Sequence, residues 1–341
     1  MATPASRRLL ANTLKIGVVG CGALGSYYGG RLSQAGHQVH FLLRSDYEVV
    51  RRQGVRVSSP GGDFRFRPRC ARSPEEIGPC DGVIIGLKTT ANGEFTRLLP
   101  PLVGPHTAIL TLQNGLGNEE ALARLFSPEQ ILGGLCFVCL NRTEPGVIRH
   151  LAHGRIVLGE FCGWPEPRTQ DFASYFRHAG VPCDVTETLE RAHWEKLVWN
   201  IPFNGLGVAS AAGWDAVDSG VLSAETAVGA CLATDQLLSD TRWHALVREL
   251  MREVIAAANG QGLAVSTEWE ERHIALTTPM EHYVASTLVD FERGQPLELE
   301  ALFLEPLRRA KAAGVATPRL EKLCQVLLVL AGRAGDLKSN R

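Results

Sequence analysis

The stretch KIGVVGCGALG, Lys15 to Gly25, decides the fold of this chain. Lys15–Val19 is a short β-rich run, and glycines follow at Gly20, Gly22 and Gly25. Leu24–Ala35 then carries helical spacing and stops at Gly36. In this strand–turn–helix setting each glycine has a separate use. The first permits the tight turn, the second lets a pyrophosphate approach the backbone, and the third allows close helix–sheet packing. Amides and the dipole at the helix N-terminus favour the diphosphate. Gly20, Cys21, Gly22, Ala23, Leu24 and Gly25 are therefore the candidate dinucleotide-binding residues, against the alternative of a purely structural turn.

Working outward, Gln38–Leu43 reads as the next strand, and the residue after it bears on which dinucleotide fits. An NAD site places Asp or Glu there for the ribose 2′-hydroxyl. This chain has Arg44, followed by Ser45, and a guanidinium pairs with a 2′-phosphate. The reading is NADP(H), with an exposed Arg44 and a ribose served by Asp46 as the alternative. Val83–Leu87 and Ala108–Leu112 are two further compact apolar strands, with a helical stretch around Phe95–Leu99 between them. Lys88 and Asn114, in LQNGLGN, follow those strands where open α/β sheets bind ligands. Asn114-Gly115 is equally an ordinary turn. The βαβ rhythm implies a largely parallel sheet covered on both faces. Val55–Arg67, with Gly61-Gly62 between two alternating runs, suggests a hairpin. Leu132–Leu140, Gly146–Leu151 and Arg155–Gly159 suggest antiparallel additions at the sheet edge.

Past Val185 the texture changes. Glu190–Asn200, Ala224–Leu238, Ala245–Asn259, Pro279–Glu292, Glu298–Ala313 and Pro318–Ala331 carry helical spacing. The expected architecture is α/β, a Rossmann-type dinucleotide-binding domain over residues 13–187 and an all-helical domain over 188–335. Within the helical part, HWEKLVWNIPFN sets Lys196, Asn200 and Asn204 at i, i+4 and i+8, on one helix face. The plain reading is a solvated stripe. Against it, the surrounding Trp194, Leu197, Val198, Trp199 and Ile201 imply burial, and buried polar groups need partners. Pro202 removes an amide, so a kink near Val198 is expected.

Composition narrows the function. Of 341 residues, 35 are Lys or Arg and 36 Asp or Glu, a formal charge of −1, which argues against nucleic acid as the main partner. With 45% hydrophobic and 21% charged residues, the chain has an ordinary globular composition. The nine scattered cysteines suit a reduced, cytoplasmic protein. Cys136 and Cys139 form one CxxC pair in an apolar run, more readily strand packing than a redox or zinc site. Ser6-Arg7-Arg8-Leu9-Leu10 has a faint twin-arginine look, but no apolar region and cleavage site follow it. With no run of about eighteen apolar residues, no membrane span is expected. His150 and His153 lack a third ligand, so no metal is expected. The first dozen and last eight residues look like frayed ends. The apolar CQVLLVLAG from Cys324 suits either core or the surface of a homodimer.

Taken together, GCGALG, Arg44, Lys88, LQNGLGN, the Lys196/Asn200/Asn204 trio and STLVDFERGQPLELEAL (Ser286 to Leu302) resemble the ketopantoate reductase (2-dehydropantoate 2-reductase) family over nearly the whole chain. The resemblance implies a two-domain NADPH-dependent reductase closing a cleft on a small 2-oxo acid, as in pantothenate biosynthesis. It further implies Lys196 as general acid and Asn114 at the nicotinamide and substrate. Asn200, Asn204, Ser286 and Glu298 would hold the substrate. A positioned ammonium suits the alkoxide that hydride delivery creates. Burial should lower the pKa of Lys196, and Glu298 should keep its charged form available. Leu297, Gln295, Ser286-Thr287 and IPFNGL depart from the family's usual Thr, Arg, Ser-Met and Asn-Pro. A paralogue acting on another branched or larger 2-oxo acid is the main alternative, and a non-catalytic dinucleotide-binding protein a weaker one. Lys196 together with Glu298 and the asparagines favours an enzyme.

Overall fold

The fold is that of a computed structural model, which describes residues 13–223 and 226–339. The twin-arginine-like segment and the first dozen residues lie outside the described residues. The chain divides into two compact units. One runs to Leu189 without Gly115–Gly117; the other comprises Gly115–Gly117 and the chain from Glu190.

The first unit is built on one ten-stranded sheet. In chain order its elements are β1 (Lys15–Val19), α1 (Ala23–Gln34), β2 (Gln38–Leu42), α2 (Tyr47–Gln53), β3 (Val55–Ser58), β4 (Phe64–Phe66), β5 (Arg69–Ala71) and β6 (Cys80–Ile85). There follow α3 (Phe95–Leu98), β7 (Val103–Thr111), α4 (Asn118–Ala123), β8 (Ile131–Glu144), β9 (Val147–Glu160), α5 (Pro167–His178) and β10 (Cys183–Val185). The path is β4-β3-β9-β8-β7-β6-β1-β2-β5, with β10 pairing β9. The strands β7, β6, β1 and β2 run parallel, so their carboxyl ends open along one edge. Ile16, Val18, Val83, Ile84, Ile109 and Leu110 are buried, as expected of parallel strands covered on both faces. Gly29 and Gly30 let α1 lie close to the sheet. A Cβ would come within 2.7 Å of the Phe41 ring at Gly29 and 2.4 Å of the Phe66 ring at Gly30.

The Val55–Arg67 hairpin forms as expected, with β3 antiparallel to β4. The three runs after Leu132 instead form two long strands, because register shifts near His153 and Leu140 absorb the irregular residues without ending the pairing. Nor is this hairpin the sheet edge, since β3 and β4 continue beyond β9. Cys136 and Cys139 are buried on β8, as strand packing requires. At the end of β9, Glu160 forms a buried ion pair with Arg168 of α5, reinforced by the Thr169 hydroxyl.

The second unit comprises α6 (Leu189–Ala209), α7 (Trp214–Ser219), α8 (Thr234–Ser239), α9 (Thr241–Gly260), α10 (Trp269–Thr277) and α11 (Ser286–Glu292). A π-helical turn at Glu300–Leu304, α12 (Glu305–Ala312) and α13 (Pro318–Ser339) complete it. In α9, Trp243, Leu246, Val247, Leu250, Met251 and Val254 recur at three- and four-residue intervals and are buried. The Asp240 carboxylate caps this helix by accepting from the Arg242 and Trp243 amides. Two expected helices are shorter than their apolar spacing suggested. Residues 224 and 225 lie outside the described residues; from 226 to 233 the chain is irregular because its amides bond elsewhere: Gly229 to the Ala211 carbonyl and Leu232 to that of Gly207. Residues 281–285 are likewise non-helical, with Glu281 at φ +52°. In α13, Val326, Leu327 and Leu330 are core, whereas Leu328 and Val329 are exposed. Among the described residues no helix is long and apolar enough to cross a membrane.

Candidate active site

The glycine turn behaves as three distinct constraints. Gly20 has φ +93°, and a Cβ on it would lie 2.3 Å from the Leu87 amide nitrogen. At Gly25 a Cβ would lie 2.3 Å from the Gly20 carbonyl oxygen. Gly20 excludes a side chain because the turn is pressed against the backbone just past β6, and Gly25 because α1 lies against the turn's own Gly20 carbonyl. Gly22 differs: a Cβ there meets no protein atom within 4 Å. It is also the N-cap of α1, where no side chain caps the helix and the first turn carries no acid. An open backbone face at an uncapped helix N-terminus fits a diphosphate. Ala23 and Leu24 are half-buried at the start of that helix. Cys21 turns its thiol into the sheet, donating to the Val18 carbonyl at 3.3 Å and, more weakly, to that of Leu42. It therefore presents backbone, not sulfur, to a ligand.

Along the same edge, β2 ends near Arg44, β6 near Lys88 and β7 near Asn114. Arg44 and Lys88 are exposed and Asn114 is half-buried. Asp46, the alternative ribose acceptor, is buried; Ser45 bonds to one carboxylate oxygen and Arg142 of β8 pairs with the other. Behind Asn114 runs a chain of amides that the sequence did not disclose. The Thr111 hydroxyl donates to Gln113 (3.0 Å), Gln113 to Asn92 (2.8 Å), Asn92 to Asn118 (2.9 Å), and Asn118 to the Asn114 carbonyl (3.1 Å). Gln113 and Asn118 are buried, so satisfying their amides fixes the loop around Asn114. Gln113 and Asn118 stand inside LQNGLGN, but nothing in one sequence links them to Asn92. Gly86 was also missed; a Cβ there would lie 3.0 Å from the Gly20 carbonyl oxygen.

In the second unit, α6 continues unbroken through Pro202, so Lys196, Asn200 and Asn204 do share one face. It is not a solvated stripe. Asn200 and Asn204 are buried and Lys196 is half-buried, beside the buried Trp194, Leu197, Val198, Ile201 and Phe203. The Asn204 side-chain oxygen accepts from the Thr287 amide (3.0 Å) and the Ser286 hydroxyl (3.3 Å), which fixes the start of α11 and presents the exposed Ser286. Glu298 is buried just before the π-helical turn, whereas Glu300 is exposed and paired with Arg308. Such turns occur often at functional sites. Ala301 in this turn also accepts from the Leu116 amide at 2.9 Å, and Gly115, at φ +85°, packs against the same carbonyl. His273 of α10 braces α6 by donating from Nε2 to the Glu195 carbonyl at 2.9 Å. Burial lowers the His273 pKa to about 4, so the ring is neutral near pH 7.

Comparison with known proteins agrees with this division. Family models for ketopantoate reductase PanE/ApbA match residues 16–163, and for its C-terminal part residues 188–331. A 2-dehydropantoate 2-reductase from Nostoc sp. is 39% identical over 328 residues, covering 94% of this chain and 97% of that protein. A crystal structure of 2-dehydropantoate 2-reductase from Geobacter metallireducens superposes with a TM-score of 0.84 at 45% identity, covering 94% and 99% of the two chains. D-mandelate dehydrogenase, solved with NADH and anilino(oxo)acetate, shares the fold at 18% identity, with a TM-score of 0.82 and coverage of 94% and 99%.

Two glycines separate folding from ligand binding. Gly20→Ala should lower thermal stability sharply, since both φ and the Leu87 backbone oppose it. Gly22→Ala should unfold within a few degrees of wild type yet bind dinucleotide at least about tenfold more weakly, because its methyl would fill the open backbone face expected to admit a diphosphate. Thermal unfolding and cofactor titration of both variants check this. A Gly22→Ala protein with unchanged cofactor affinity would contradict it.

Proposed function

The chain belongs to the ketopantoate reductase family, and we propose that it reduces 2-dehydropantoate to pantoate with NADPH, Lys196 supplying the proton. Enzymes of this family are NADP-dependent oxidoreductases acting on a CH–OH group. The observation that carries the reading is the polar face of α6, where two buried asparagines lie in register with Lys196 in an apolar surround. A buried polar face of this kind, fixed in place by α11 and set beside an amine in an apolar surround, suits a small polar substrate.

NADPH, when bound, supplies the hydride that reduces the 2-oxo carbon. The glycine turn and the α1 N-terminus hold the diphosphate, while Arg44 and Lys88 attract its phosphates. Asn114 orients the reacting end. As charge grows on the carbonyl oxygen, Lys196 stabilises it and gives it a proton, ending neutral itself. Glu298 favours the charged lysine before reaction. Asn200 and Asn204 orient the substrate, and Ser286 takes its carboxylate without adding a permanent charge. The product is the 2-hydroxy acid, pantoate, as in pantothenate biosynthesis. Leu297, Gln295 and Thr287 favour a second reading only for substrate choice, a different branched 2-oxo acid handled by the same chemistry.

NADPH oxidation measured with a panel of 2-oxo acids tests the proposal. 2-Dehydropantoate should give the highest kcat/KM, with NADPH favoured over NADH by roughly ten- to a hundredfold. No turnover with any 2-oxo acid would contradict it, and a larger acid as best substrate would select the second reading.

The two acids of LELE should also behave differently. Glu298→Ala should lower kcat/KM for the 2-oxo acid by about a hundredfold, the size expected on loss of a buried charge partner. Glu300→Ala should stay within about twofold, since an exposed ion pair contributes little. Steady-state kinetics of the two variants decide it; a harmless Glu298→Ala or a crippling Glu300→Ala would overturn the assignment.

A further inference from the structure

Two residues past Arg44, the corner after β2 holds an acid that could serve a ribose, yet that acid is already paired. Asp46 is 6% exposed and sits at the N-cap position of α2, but its carboxylate caps no amide of that helix. One oxygen accepts from the Ser45 hydroxyl at 2.9 Å, and the other pairs with the Arg142 guanidinium. Arg142 comes from β8, nearly a hundred residues later in the chain, and its side chain remains 43% exposed. The corner borders the glycine turn: burial raises the pKa of the Cys21 thiol, and the charges of Cys70 and Asp46 raise it further. Glu48, the next acid along α2, is exposed and pairs at the surface with Arg72 and Arg51.

We propose that Arg142 determines cofactor specificity, acting through Asp46 rather than by touching the cofactor. The inference rests on the NADPH reading and deepens it. An uncovered Asp46 carboxylate would accept from a ribose 2′-hydroxyl and repel a 2′-phosphate. Paired with Arg142, it does neither. The corner of Arg44, Asp46 and Arg142 then keeps one net positive charge for the phosphate; without Arg142 it keeps none. The exposed Arg44 attracts the 2′-phosphate, and Arg142 removes the charge that would oppose it.

Arg142→Gln is the test, read as KM and kcat for NADPH and NADH separately. The NADPH KM should rise about tenfold while the NADH KM stays level or falls, with the effect on KM rather than kcat. Adding Asp46→Asn to Arg142→Gln should restore the NADPH KM to within about threefold, because the repelling charge is then gone. A merely structural ion pair would move both cofactors together and would not be rescued. Arg142→Gln that shifts both KM values in parallel, or leaves their ratio unchanged, overturns the proposal. Should Arg142→Gln fail to fold, Asp46→Asn alone decides: NADPH selectivity kept or increased supports the role of Arg142, and selectivity lost refutes it. Wild-type protein that uses both cofactors equally would overturn the NADPH reading itself, whereas a selective wild type with an indifferent Arg142→Gln overturns the role of Arg142 alone.

Discussion

A hydrogen in place of a side chain at Gly20 lets the turn after β1 close onto the end of β6. The Leu87 amide nitrogen lies 2.3 Å from where a Cβ would stand, so no other residue fits without moving backbone. The closure sets the direction in which α1 leaves the sheet. Gly25, Gly29 and Gly30 then keep that helix close to the strands beneath it. With α1 seated, its uncapped N-terminus and the open Gly22 face lie at the carboxyl edge of β7, β6, β1 and β2. Lys88, Asn114 and Arg44 come to that edge for the same topological reason: each lies two or three residues past the end of a parallel strand.

The second unit solves a different problem. Its core is an apolar helical cluster, and α6 carries three polar residues into it. Desolvation makes such a face expensive, so its geometry has to be fixed. Asn204 is held by the start of α11, and His273 holds the carbonyl preceding Lys196. Glu298, just before the π-helical turn, is buried, whereas Glu300, which opens it, is exposed and paired with Arg308. Preorganised polar groups in a dry surround are what proton transfer to a growing alkoxide requires.

Much of this was legible from local pattern. Strand–glycine–helix at Lys15–Gly25 identified the parallel α/β unit, and at Gly20 and Gly25 the glycine has a separate steric reason. Four-residue spacing at Lys196, Asn200 and Asn204 placed the trio on one face, because the helix continues through Pro202. Tertiary partners were not legible. The Asn92–Asn118 bond and the Arg142–Asp46 pair join residues 26 and 96 positions apart, and no local rule links them. Periodicity also overstated helix in Ala224–Leu238, whose apolar spacing is real but whose amides near Gly229 and Leu232 bond to the end of α6 and the turn after it. It broke β9 into two runs because an irregular register at His153 looks like a turn in sequence.

In the proposed reaction Lys196 would join the two halves of the chemistry, since hydride transfer is unproductive until the alkoxide is protonated. Lys196→Ala, with its fold checked by thermal unfolding, isolates that step. Turnover of 2-dehydropantoate and NADPH affinity by titration should separate cleanly: kcat lower by about 10²–10⁴-fold, with the NADPH Kd within about twofold of wild type. A folded variant that turns over within a few-fold of wild type, or one that loses NADPH affinity in proportion to its activity, would contradict the role given to Lys196.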